Sequence, residues 1–268
     1  MAGLTGQTVA SSYKSLLRTV DNNHGVSAGL QSITDGEGTV SCVEIADDAL
    51  RVTPQDGDST GIFSVRDKDS NYLLRVDSNN DIVKVNSGQE IANTQYAYFG
   101  VTSIDSAGYA ADTHNAIPFN GNGHADLTYP PAFGTGTDPA TSFTTSHGNG
   151  TKASDLVPCL WYVQDNISID AVTAIEGADT ATGETTDIHL MQYTFSSGGT
   201  SALTSGALVA HNTPFVNSGD EQAYKTTLTI DATDGNIDAG KVILAFFEPV
   251  GTVNSDYSIN ITVKYHLR

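Results

Sequence analysis

YSINITVKYHL, Tyr257–Leu267, is the stretch from which the fold can be read. Ile259, Ile261, Val263 and Tyr265 recur at every second position, the period of a strand whose side chains point alternately to opposite faces. Such a strand buries one face and leaves the other to solvent. Just upstream, KVILAFF (Lys241–Phe247) is apolar at nearly every position and is expected to be the central strand. CLWYV (Cys159–Val163), ISIDAVTAI (Ile167–Ile175), IHLMQYTF (Ile188–Phe195), ALVAH (Ala207–His211) and YKTTLTI (Tyr224–Ile230) are also rich in β-formers. GADTATGETT, SSGGTSALTSG, DATDGNIDAG and PVGTVNSD, all loaded with turn residues, separate the later strands. Strands at regular spacing without intervening helices predict a mainly β chain ending in an antiparallel, jelly-roll-like sandwich.

Moving toward the N-terminus, Asn120–Lys152 is rich in Gly, Thr and Pro and contains YPPAFG at Tyr129–Gly134. It is too long for an ordinary connection, and its aromatic and proline residues predict an ordered excursion. Aromatic clusters begin only after Gln89, so the composition divides the chain into an N-terminal segment, 1–88, and a sandwich, 89–268, carrying the long loop 120–152.

Before that division stands GIFSVRDKDSNYLLRVDSNNDIVKVNSG, Gly61–Gly88. Its apolar pieces, Phe63/Val65, Leu73/Leu74/Val76 and Ile82/Val83/Val85, are split by Asp/Asn/Ser clusters and predict a ladder of three strands. A ladder this thin is marginal unless something covers it, and a second copy of the chain would supply the cover. DGEG at Asp35–Gly38 marks an earlier hairpin, and Ala49–Thr53 a further strand. Val9, Tyr13, Leu16, Leu17 and Val20 fall on one face of a helix predicted over Thr8–Asp21. Fourteen or so residues of helix are marginal alone, so this face needs a dock.

Charge narrows the partners. With 31 acidic against 12 basic residues, the formal net charge is -19, a field that repels phosphate backbones. Nucleic acid is therefore not expected. No apolar run is long enough to cross a bilayer, and MAGLTGQTVASSYKSLL lacks the basic and apolar regions of a secretory signal, so a soluble protein made in the cytoplasm is expected. Cys42 and Cys159, the two cysteines, lack metal-knuckle spacing and read as small buried apolar residues.

No catalytic signature is present. The seven histidines, 24, 114, 124, 147, 189, 211 and 266, show no metal-ligand spacing. His114 and His124 share a segment with Asp112 and Asp126, yet a solvated or structural role is the better reading. Asp67, Asp69 and Asn71 begin like a calcium loop, but Tyr72 and Ser78 occupy the positions that need glycine and glutamate. Glu176, Glu184, Glu221 and Glu248 adjoin strand ends and read as sandwich-edge residues. There is no G-x-S-x-G elbow or phosphate loop, so no enzyme, cofactor or metal is expected. Trp161, in an apolar strand, reads as core, while Tyr109, Tyr129 and Phe133 in long loops are candidate ligand-facing aromatics.

VASSYKSLLRTVDNNHGV followed by LQSITDGEGTVSCVEIADDALRV resembles the N-terminal portion of virion proteins from tailed phages of marine bacteria. NTQYAYFGV, LWYVQDNISIDAV and SDYSINITVKYHL are similar to the same group. The resemblance implies a homotrimeric protein of the virion surface, of capsid-decoration or fibre type. Its N-terminus, with Val9, Tyr13, Leu16, Leu17 and Val20, would be anchored on phage capsid or tail proteins, and its sandwich would point outward. The alternative is a tail-fibre module whose long loop binds a host surface glycan.

Overall fold

The computed structural model describes residues 17–20, 26–87, 90–104, 110–120, 131–147, 152–179, 182–251 and 256–268. The chain forms two compact units, Met1–Ala92 and Asn93–Arg268. Both are antiparallel β structures.

The first unit holds two four-stranded sheets. β1 (Arg18–Thr19), β2 (Gln31–Thr34), β3 (Val40–Ile45) and β4 (Leu50–Val52) pair in chain order, as do β5 (Phe63–Arg66), β6 (Tyr72–Asp77), β7 (Ile82–Val85) and β8 (Glu90–Ile91). The turns follow from Asx chemistry. Asp35 Oδ1 accepts the amide hydrogens of Glu37 and Thr39, and Asp67 Oδ1 those of Asp69 and Asn71, so each aspartate closes its own hairpin. One expectation is corrected here. Arg18 and Thr19 pair with Thr34 and Ile33 as a strand, so a helix does not run to Asp21: a neighbouring strand satisfies this backbone. Val9, Tyr13 and Leu16 lie outside the described residues.

The second unit is a jelly-roll-like sandwich. Its strands are β9 (Thr94–Ile104), β10 (Asn115–Ile117), β11 (Trp161–Tyr162), β12 (Ile167–Ala178), β13 (Thr185–Phe195), β14 (Leu203–His211), β15 (Phe215–Val216), β16 (Gln222–Ile230), β17 (Asn236–Ile237), β18 (Lys241–Val250) and β19 (Tyr257–Leu267). They follow the order β10-β18-β13-β14-β16-β12-β19-β9. β14 passes to β16 through Ala210↔Ile230 and His211↔Thr229, and a Phe99↔Phe119 bridge joins the two ends of the path, so the sheet nearly closes on itself. Closure removes the open edges that invite aggregation.

Two apolar layers explain the sequence patterns. Ile259, Ile261 and Val263 of β19 face Ile188 and Leu190 of β13 and Ile243, Ala245 and Phe247 of β18 across the interior. The alternate residues of β18, Val242, Leu244 and Phe246, pack outward beneath a cover built by Phe133, Phe143, Leu156 and Cys159. β18 is therefore buried on both faces, which is why it is continuously apolar. A bulge at Asp170 shifts the register of β12, so Ile167, Ile169, Val172 and Ala174 all reach the core despite a broken two-residue period. Trp161 is core, stacked on Phe119 with ring centroids 5.7 Å apart.

Candidate functional site

In the ladder, the register Phe63↔Val76, Val65↔Leu74, Leu74↔Val85 and Val76↔Val83 places Phe63, Val65, Leu74, Val76, Val83 and Val85 on one face. Cross-strand alternation puts Ser64, Arg75 and Lys84 on the other. Nothing within the sheet covers the apolar face: Phe63, Val65 and Val83 remain 41%, 42% and 38% exposed. Residues 61–91 carry Arg66, Lys68, Arg75 and Lys84 against five acidic side chains, so the ladder is close to neutral in a chain of net charge -19. Copies can approach here with little of the repulsion that acts elsewhere.

Asp77 anchors the opposite face. It is 1% exposed, accepts hydrogen bonds from the Asn80 amide and side chain, and lies 3.7 Å from Lys84 Nζ. These contacts, with the Asn80 side chain foremost, hold its carboxyl below the ordinary range. Asp67 and Asp77 are thus both consumed in turn formation.

Of the residues singled out from sequence, Leu17 and Val20 are exposed, while Tyr109, Tyr129, His124 and Asp126 lie outside the described residues. Phe133 is corrected: it is 1% exposed, stacked on Phe143 at 4.4 Å and tilted against Phe246 at 4.6 Å. It therefore faces no ligand. The excursion folds back over β18, where an aromatic ring gains more from burial than from solvent. Cys159 is fully buried and its thiol is pushed up to about 12, whereas Cys42 is half-buried.

The glutamates are corrected too. Glu176, Glu184 and Glu248 are 2%, 8% and 6% exposed and belong to the interior, not the rim. Glu176 occupies an inward position of β12, where burial raises its carboxyl to about 7 although Thr186 and Asn217 stand beside it. Glu184 accepts a hydrogen bond from the Tyr257 hydroxyl, and Asn217 donates to the same hydroxyl at 3.4 Å.

A second titratable cluster escaped sequence reasoning because its members come from three separate strands, the stretch before β10 and the covering loop. His114 precedes β10 and falls opposite Glu248 of β18, which is itself opposite Asp187 of β13. One step along the same face, His189 is opposite His211 of β14. The His114 and His189 ring centroids are 4.8 Å apart, those of His189 and His211 6.2 Å, and Asp138 Oδ1 lies 3.7 Å from His189 Nε2. Burial lowers His114, and lowers His189 to about 3 with help from its two histidine neighbours, so both rings are neutral. Even so, among the described residues no group of three or more His, Cys, Asp or Glu is arranged to hold a metal ion.

No family model matches the chain, and no curated protein matches it. Among solved structures, one of Eiger TNF from S. frugiperda is similar over 66% of this chain and 94% of its own, at 9% identity and a TM-score of 0.25. No helix among the described residues is long and apolar enough to cross a membrane.

Proposed function

We propose that the protein is a non-enzymatic structural component of a tailed-phage virion, a capsid-decoration or fibre protein that self-associates through its N-terminal unit and displays the sandwich at the particle surface. The observation that carries this reading is the uncovered apolar face of the ladder, with Phe63, Val65 and Val83 open beside half-buried Leu74, Val76 and Val85. An isolated four-stranded sheet with such a face gains stability when a copy of itself covers it. Closed cyclic assembly repeats one contact around an axis, and three copies is the number that the phage resemblance implies. Capsid or tail proteins would be the partners of the N-terminal segment, the virion surface its location, and synthesis in the host cytoplasm its origin.

A host surface glycan is the second reading, in which the same protein serves as a tail-fibre receptor-binding module. Of the three aromatics assigned to such a ligand, Phe133 is committed to the core, which favours the structural role.

Light scattering on the full chain and on a chain beginning at Gln89 tests the proposal. A trimer that falls to a monomer on shortening supports it. Monomers in both cases overturn it, and glycan-array binding by the monomer would then favour the receptor reading.

A further inference from the structure

The carbonyl of Gly134 and the carboxyl of Glu248 approach opposite nitrogens of the buried His114 ring. Nδ1 lies 3.3 Å from Gly134 O, and a carbonyl only accepts, so Nδ1 carries the ring hydrogen. Nε2 is left with its lone pair, has no other partner, and faces Glu248 Oε2 at 3.2 Å. Two lone pairs at this distance repel unless a proton lies between them.

We propose that His114 and Glu248 hold one shared proton, and that this proton latches the Pro131–Ala140 segment to the outer face of the sandwich, its release by alkali letting the segment open. The segment hangs on this residue. The His114 amide donates to Gly134 O at 3.0 Å, the Phe133 amide to His114 O at 2.8 Å, and the Ala116 amide to Pro131 O at 2.9 Å. Phe133, between them, plugs the outer apolar layer.

The surroundings favour the protonated pair. Asp187 and His189 of β13, His211 of β14, Asp138 of the covering segment and Asp112 before β10 are the titratable groups around His114 and Glu248. Among the described residues, no lysine or arginine forms an ion pair with Glu248 or Asp187. An ionised Glu248 would therefore join Asp187 and Asp112 with no compensating cation. Burial first, then these two aspartates, raise Glu248 to about 7, while burial lowers His114. The proton accordingly sits on the carboxyl and is donated to Nε2. A carboxyl raised in the folded state stabilises below its unfolded value of 4.5, and that contribution is lost as pH rises through about 7.

Hydrogen exchange on the full chain tests the latch, read as protection factors for the Phe133 and Ala116 amides. Between about pH 4.5 and the Glu248 midpoint near 7, opening should rise by up to about tenfold per pH unit, the limit for release of one proton, and it should level off above that midpoint. In Glu248→Gln, whose amide donates to Nε2 without titrating, protection should stay level across the same interval, from about pH 4.5 to about pH 7. Carbon-13 titration of the Glu248 carboxyl in the unaltered protein, with nitrogen-15 shifts of His114, is decisive even if the variant fails to fold. A Glu248 midpoint near 7 with His114 Nε2 moving in step supports the latch. A Glu248 midpoint in the ordinary glutamate range, level protection in the unaltered protein, or an equal pH slope in the variant overturns it.

Discussion

Replacing Phe133 by alanine separates a core residue from a ligand contact. The ring is 1% exposed and touches three other aromatics, with centroids 4.4 Å from Phe143, 4.6 Å from Phe246 and 5.8 Å from Tyr193. Truncation removes the transfer free energy of the ring and leaves a void walled by stiff neighbours, a combination that costs about 3–5 kcal/mol for a buried phenylalanine. Loss of offset stacking with Phe143 moves the expectation toward the upper end. The assay is urea denaturation of the full chain followed by Trp161 fluorescence, because the single tryptophan lies in the sandwich and reports that unit. With a urea slope of about 2–3 kcal/mol/M, the midpoint should fall by about 1–2 M. A loss below about 1 kcal/mol would refute the packing argument and return Phe133 to the surface, since substitutions there are usually worth no more than that.

Gly206→Ala should also destabilise the sandwich, because an added Cβ would stand 2.5 Å from Tyr193 Cε1 and 2.8 Å from Thr141 Cα; thermal unfolding reads the loss, at about 1–3 kcal/mol for overpacking. Glu176→Gln should stabilise the protein at about pH 8 far more than at about pH 5: the rise from 4.5 to about 7 corresponds to roughly 3 kcal/mol at most, present below 4.5 and lost as pH rises through 7, and equal effects at both pH values would contradict this. His189, held neutral, works in the opposite sense, so its contribution is present above 6.5 and is lost as pH falls toward about 3; His189→Gln should lessen acid unfolding in that window, checked by circular dichroism. Val65→Asp with Val83→Asp should dissociate the proposed assembly without unfolding the sandwich, and a multimeric mass left unchanged in light scattering would remove the ladder face from the proposed interface.

Local periodicity made the strands readable. The two-residue alternation of Tyr257–Leu267, the unbroken apolar run of Lys241–Phe247 and the Asp-closed turns at Asp35 and Asp67 are all decided within a few residues, so backbone and side-chain chemistry expose them directly. The two-sided burial of β18 was implicit in its composition. Where tertiary pairing intervened, sequence reasoning failed. Arg18 and Thr19 fell within the helix predicted over Thr8–Asp21 yet joined β2, because a neighbouring strand satisfies their backbone.

Spacing along the chain is enough to specify a mainly β chain, a thin ladder with few apolar residues to bury, and an acidic sandwich with a long excursion. The burial of Phe133 in the core, the interior positions of Glu176 and Glu248, and the convergence of His114, His189 and His211 arise from tertiary pairing instead. Those outcomes depend on strand order and on the path of the excursion, which bring residues far apart in sequence to neighbouring positions on one face. Local periodicity carries no record of which strands will become neighbours.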